Sequence, residues 1–460
     1  MAHVRRFPIP RVLNEFARHF DGAGYRCYLV GGALRNIAHR RKPTDFDIAT
    51  DARPEDVSRL FRKVIPTGIQ HGTVTVLFKG RQFEVTTFRT ESTYSDARRP
   101  DSVRFSSSIE EDLERRDFTI NGMALDIVSR EFRDPHGGLD DLKRRVVRAI
   151  GDPAERFRED GLRVMRAVRF ATQLEFEIEP ATKAAIGEAL GSLSKVSAER
   201  VRDELVKTIE APRPARGVLT MQETGILGVV VPELAACKDI PQGEGVNENV
   251  LTHSAYACEG APAEQLNLRL AALLHDVGKV DTYEVDEQGM RFHGHDKVSA
   301  EHTERILTRL RFSKATVEEV RHLVRHHMFE YDPTSWTDAT VRRFIARVGA
   351  EYIGKLILLR RADSYGKAGR PVRDGRLEAL ERHVEAVLEE DSALTVKDLA
   401  VNGNVLAEEA GIPKGPVMGR TLDFLLETVL QDPTQNTKDK LLEIARNYYT
   451  RRVSPGAKPE

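Results

Sequence analysis

The chain has 460 residues, too many for one ordinary hydrophobic core, so several domains are expected. It is 40% hydrophobic and 31% charged, with 70 Lys and Arg against 71 Asp and Glu, which reads as a soluble globular protein whose nucleic-acid affinity must come from local basic stretches. No apolar run approaches a membrane span, the opening MAHVRRFPIPRVL has no signal-peptide core, and Cys27, Cys237 and Cys258 are too scattered for a disulfide framework or a zinc cluster, so a cytoplasmic protein with no membrane partner is expected.

Residues 11–24 show helical apolar spacing at Val12, Leu13, Phe16 and Phe20, with Gly22 and Gly24 as stops. Strand-like runs follow in YRCYLVGG, DFDIAT, GTVTVLFKG, RQFEVTTF and MALDIV, and FKGRQFEV predicts a hairpin around Lys79, Gly80 and Arg81. Strands therefore crowd into the first 150 residues. Beyond RAIGDP the pattern turns helical, in EDGLRVMRAVRFATQL, in SAERVRDELVKTIEA with Ser197 as an N-cap, in VSAEHTERILTRLRF and in KATVEEVRHLVRHHMF. Residues 238–251 and 364–376 read as linkers, and the tail VSPGAKPE as disordered. The expected boundaries are a head at 1–150, a neck at 151–237, a third unit at 238–345 and a C-terminal body and tail at 346–460.

In TDFDIATDA, Asp45 and Asp47 stand at i and i+2 of a strand-like run and would project to one face. Paired carboxylates repel unless a cation neutralises them, and hard oxygens of this kind suit Mg²⁺ bound with substrate phosphates. Glu84, on the next hairpin, is a third candidate. Upstream, Gly31 and Gly32 allow close approach to a phosphate, and Arg35 on the following helix could reach a triphosphate. Taken alone, the aspartates would more simply be charges on an exposed edge strand and the glycines a tight turn.

GGALRN followed by TDFDIATDA resembles the signature of class II tRNA nucleotidyltransferases and bacterial poly(A) polymerases, of the polymerase-β superfamily. The resemblance runs collinearly through RRDFTINGMALD, DPHGGLDDLKRRVVRAIGDP, REDGLRVMRAVRFA and SAERVRDEL. It implies an α+β fold: a polymerase-β-like nucleotidyltransferase head with a small mixed sheet, then an all-α neck, an HD-type body and a tail. It implies two Mg²⁺ at Asp45 and Asp47, ribose contact from the Arg115, Arg116 and Asp117 segment, and base reading of CTP and ATP by Asp160 and Arg163 beside Glu159. Asp160 and Arg163 are expected as neighbours on one helix face, with Arg166 and Arg169 extending a basic face for phosphates. The loop at 90–105 matches the flexible loop such enzymes use in switching from CTP to ATP. Where the family often has Asp, this chain has Asn36.

Farther on, His275 and Asp276 are adjacent, with His253, His293, His295, His326, His327 and Asp363 spread over successive predicted helices. The pattern resembles the HD superfamily of metal-dependent phosphohydrolases. The resemblance implies a divalent transition metal or Mg²⁺ at His253, His275, Asp276, His327 and Asp363, with His295 an additional ligand. In GIPKGPVMG, backbone amides and a lysine could meet an RNA backbone, or the run could be a simple turn.

The leading expectation is a template-independent enzyme adding or repairing the 3′-terminal CCA of tRNA from CTP and ATP, with tRNA and not DNA as partner. Three alternatives stay open. One is an A-adding enzyme or poly(A) polymerase of the same family. Another is an HD phosphohydrolase whose head binds RNA. The last is a non-enzymatic RNA-binding protein, which requires the carboxylates to be dispensable.

Overall fold

The computed structural model describes residues 8–41, 43, 45–69, 72–91, 103–242, 249–287, 289–390 and 393–452. The tail VSPGAKPE, most of the loop read at 90–105 and the middle of the linker read at 238–251 lie outside these residues.

The head is built on strands β1 (Cys27–Val30), β2 (Phe46–Thr50), β3 (Val64–Gly68), β4 (Thr73–Phe78), β5 (Arg81–Thr87), β6 (Arg89–Glu91), β7 (Val103–Phe105), β8 (Ala124–Asp126) and β9 (Phe132–Arg133). Seven of them form one sheet in the order β3-β4-β5-β2-β1-β8-β9, while β6 and β7 pair separately. The sheet is mixed: β2 and β5 run parallel and the other neighbours antiparallel. β4 and β5 form the expected hairpin, closed by Lys79 and Gly80 with φ of 47° and 73°, the turn geometry that follows the twist of the strands. β3 escaped the sequence reading because Pro66 argues against a strand; at the edge of a sheet a proline costs no ladder bond.

Alternation along β2 and β5 sorts their side chains. Phe46, Ile48, Phe83 and Val85 join the main core, where the Arg11–Asp21 helix lays Phe16 flat on Phe83 with ring centroids 4.1 Å apart. Asp47 and Glu84, at the alternate positions, take the opposite face, which Ala49 shares with a small apolar cluster around Tyr28 and Phe88.

The remainder is helical apart from two short two-stranded ladders. The segment read as one helix from 159 to 174 is two. Pro153–Glu159 ends before Asp160, whose backbone is extended, and a second helix spans Leu162–Leu174. The break admits another part of the chain: a Cβ on Gly161 would sit 2.4 Å from the backbone of Ser192. Ser197 does occupy the N-cap of the Ala198–Ile209 helix, but its side chain makes no capping bond. The linker read at 364–376 is also corrected, because the Ala350–Ala368 helix continues through its first five residues.

One apolar core runs without interruption from Leu13 to Val387. A second, separate core lies within residues 393–445 and belongs to the last three helices, Gly403–Ala410, Pro416–Gln431 and Lys438–Arg452. Arg342, 6% exposed, ties the two together by donating to Leu430 O at 2.9 Å and to Glu390 at 3.2 Å.

Candidate active site

β2 and β5 bring two of the predicted carboxylates together, since Asp47 and Glu84 are register partners across the parallel pair. Asp45 lies at a bend one residue before β2 begins and is exposed, so it enters the site from the strand's mouth and not from within the strand. Gly31 opens the helix Gly31–Ala38 with φ of +60°, and a Cβ there would meet Asp47 Oδ2 at 2.9 Å. Glycine is thus required twice at this position, for its backbone angle and for its missing side chain. Burial raises the pKa of Asp47 against the opposing pull of Arg116 and of a hydrogen bond from the Gly32 amide. Burial and the charge of Asp47 likewise raise Glu84. Carboxylates held together at such cost, at the N-terminus of a helix, form a hard-oxygen donor set that a divalent cation would neutralise.

Arginines surround this group. Arg116 and Arg115 both pair with Asp112, which is fully buried and which the sequence reading did not single out. The amide of Arg89 also points to Asp112, at 3.4 Å. Arg35 donates to Asn121 Oδ1 at 2.8 Å and to Asn36 Oδ1 at 3.3 Å, and it forms no ion pair among the described residues. Burial, then Arg169, brings its pKa down to about 10. A half-buried guanidinium with neutral hydrogen-bond partners is a place prepared for an anion.

Asp117 is the hub between head and neck. It accepts from the Phe118 amide at 2.8 Å, from Asn121 at 3.0 Å and from Arg166 Nε at 2.7 Å. Burial pushes its carboxyl up, but Arg166 and Asn121 outweigh burial and bring it down to about 2. The expected basic face of Arg166 and Arg169 is therefore largely neutralised: Asp117 holds the first, and Glu204 lies 3.0 Å from the second.

Asp160 and Arg163 do not share a helix face as expected. Asp160 is held by Arg200, and Arg163 is 7% exposed, bound to Glu159 Oε2 at 2.5 Å and to the carbonyls of Arg156 and Arg115. The extended backbone of Asp160 turns the two side chains to different partners. Arg163 nonetheless sits beside the Arg115–Asp117 segment, because Arg115 O accepts from it, and Arg166 reaches Asp117.

The second predicted constellation is assembled completely. His253, His275, Asp276, His295, His327 and Asp363 come from successive helices of the body, and all are buried. Asp276 belongs to two triads, one with His253 and His275 and one with His295 and His327. His275, His295 and His327 each donate Nδ1–H to a carbonyl three residues back, at 2.8, 2.9 and 2.7 Å, which turns Nε2 inward as a lone-pair donor. His253 Nε2 lies 3.1 Å from both His275 Nε2 and Asp363 Oδ1. Burial would lower the pKa of His275, but Asp276 and Asp363 raise it to about 9; burial and His275 drive His327 down to about 3. This imidazole and carboxylate set fits one or two divalent cations. The site opens into a cavity of about 370 Å³ lined also by Lys279, Arg291, Arg360, Lys367 and Phe292. Lys279, 2.8 Å from Asp276, was another group the sequence reading passed over.

Three sequence profiles match in order: the poly A polymerase head domain over residues 27–148, the probable RNA- and SrmB-binding site of polymerase A over 175–238, and the HD domain over 248–367. The chain is 34% identical over 439 residues to the CCA-adding enzyme of Lactobacillus johnsonii, covering 95% of both chains. It is 33% identical over 430 residues to that of Geobacillus stearothermophilus, covering 94% of both. Its fold is similar to a crystal structure of the Bacillus stearothermophilus CCA-adding enzyme in complex with CTP, with a TM-score of 0.72 at 28% identity over 96% of this chain and 97% of that one.

Proposed function

This chain belongs to the family of CCA-adding enzymes, and from that premise we propose how its own residues add or repair the 3′-terminal CCA of tRNA from CTP and ATP. The observation that carries the reading is the cradle formed by Gly31, Asp47 and Glu84 beside a half-buried Arg35 that forms no ion pair among the described residues.

Asp45, Asp47 and Glu84 would hold Mg²⁺, which when bound neutralises phosphate charge and lowers the pKa of an attacking hydroxyl. The amides at the start of the Gly31–Ala38 helix, with Arg35, bind the triphosphate. Arg116, fixed by Asp112, lies over the same entrance and meets the ribose and phosphates. Asp160 and Arg163 read the base, the first accepting from an exocyclic amine and the second donating to ring nitrogen and carbonyl oxygen. To do so Asp160 exchanges Arg200 for the base, and Arg163 turns part of its fork from Glu159. The tRNA is gripped by shape and backbone along the neck, body and tail.

The test uses tRNA transcripts ending before C74, after C75 and after A76, with CTP, ATP or both. Addition of CMP and then AMP, stopping at A76, is expected. Long adenylate tails would instead make the chain a poly(A) polymerase, and AMP addition to the CC-ended transcript alone would make it an A-adding enzyme.

A second reading rests on a separate observation, the doubled triad around Asp276 with cations lining its cavity. There the chain would hydrolyse phosphoesters with a bound divalent metal. Release of 4-nitrophenol from its phosphate ester in Mn²⁺, Ni²⁺ or Mg²⁺, abolished by Asp276→Ala but retained in Asp47→Ala, is the expected result. No release with any of the three metals would leave the body as scaffold.

A further inference from the structure

Phe170 lies on the Leu162–Leu174 helix of the neck, 6% exposed, and three guanidiniums meet its ring. The Cζ of Arg169 is 4.1 Å from the ring centroid, that of Arg35 is 5.0 Å away and that of Arg166 5.2 Å away. The ring's edge is fixed by Phe118, whose centroid is 5.8 Å distant at 82°. Phe118 is fully buried and directly follows Asp117.

The three arginines differ in what else holds them. Arg166 has Asp117 at 2.5 Å, and Arg169 has Glu204 at 3.0 Å. Among the described residues Arg35 hydrogen-bonds to the amide oxygens of Asn36 and Asn121 and forms no ion pair. Asp117 and Asp47 attract Arg35 through space without pairing with it, and the negative face of the Phe170 ring meets its guanidinium in place of a paired counter-ion. The substitution has a consequence for binding. A carboxylate at this place would neutralise Arg35 and compete with an incoming phosphate. A π face attracts the guanidinium without cancelling its charge, so the cation is held in place and left available.

We propose that Phe170 is a positioning residue for nucleotide transfer: its ring docks Arg35 of the head against the base-reading helix of the neck, so that triphosphate and base are held in one register. This inference rests on the nucleotide-transfer reading above.

The experiment measures initial rates of CMP and AMP addition to tRNA transcripts by the full chain. Phe170→Leu is expected to raise KM for CTP and ATP alike by roughly tenfold, the size of one desolvated cation–π contact. The kcat and the KM for tRNA should stay within about twofold, because the ring touches neither reacting atom. Phe170→Tyr, which keeps the ring, should restore the KM. In an Arg35→Ala background the Leu substitution should add little, since its target is gone. A merely structural role would instead lower the melting temperature and kcat, with the same Leu penalty whether or not Arg35 is present. That pattern, or an unchanged nucleotide KM in Phe170→Leu, overturns the inference. Should the Leu variant not fold, Phe170→Met is read by the same criteria. An inactive wild-type chain would overturn the nucleotide-transfer reading itself, whereas an active one with an indifferent Phe170 sinks only this proposal.

Discussion

Asp160 accepts hydrogen bonds from both terminal nitrogens of Arg200, at 2.8 and 3.3 Å, and Arg200 comes from the helix packed alongside. On the proposed reading, the pair keeps the carboxylate that would read the base oriented while no base is present. Replacing Asp160 by Ala should lower CMP and AMP incorporation by about a hundredfold, as loss of a charged recognition group does. Arg200→Gln should act more weakly and on the ratio of C to A incorporation at the last position. Single-turnover assays on CC-ended and C74-lacking transcripts separate the two effects.

The carboxylate pair across β2 and β5 predicts a division between the two halves of the chain. Asp47→Asn should reduce nucleotide addition by about a thousandfold or more, and Glu84→Gln by less, in the manner of lost electrostatic stabilisation. Asp276→Ala should leave addition intact. Quantitative extension gels on all three variants check this, and an Asp47→Asn enzyme of normal rate would refute the assignment.

Gly31→Ala is expected to damage both stability and rate. The new methyl would approach Asp47 Oδ2 to 2.9 Å in a backbone conformation with φ of +60°. A cost of about 1–3 kcal/mol in unfolding free energy, with a fall in rate of about a hundredfold, fits strain at a site where small misplacements matter. Urea unfolding and extension rates measure the two.

Asp117 links pH to folding. Its folded pKa of about 2 lies below the ordinary 3.8, so its charged form is favoured by the native state. The resulting stability is present in full above the unfolded value and is lost as pH falls from there through the folded one. The contribution is on the order of 2 kcal/mol at neutral pH. Wild type and Asp117→Asn should therefore differ in urea midpoint at pH 7 and converge toward pH 2; a constant difference across that range would argue against an ionised Asp117.

Metal should staple the body. Addition of Mn²⁺ at a hundred times its dissociation constant would stabilise the folded chain by about 2.7 kcal/mol. The rise in melting temperature should vanish in His275→Ala and in Asp276→Ala, which scanning calorimetry would resolve.

Periodicity made much of this readable in advance. The alternation of Phe46 with Asp47 and the Lys79–Gly80 turn are local signals, each realised where its spacing placed it, while the histidines at 253, 275, 295 and 327, which lie far apart in sequence, were legible through the resemblance to the HD superfamily. What escaped depends on contacts distant in sequence. Asp112 carries no motif that singles it out, yet it is buried with Arg115 and Arg116 folded back on it. The break at Asp160 follows from the approach of Ser192, which no helical pattern announces. Ser364, Gly366 and Lys367 read as part of a linker, but there the helix carrying Asp363 packs Gly366 against His253.

The tail has a core of its own, joined to the rest largely through the side chain of Arg342 and its neighbour Arg343. Two apolar cores linked by polar clasps do not have to melt as one. The last three helices are expected to unfold as a unit at a lower free energy than the whole chain, and amide exchange should report them as the first foldon to open. For an enzyme whose substrate is far larger than its reacting end, that is useful compliance: the far end can loosen and re-engage at each turnover while the carboxylate cradle stays rigid.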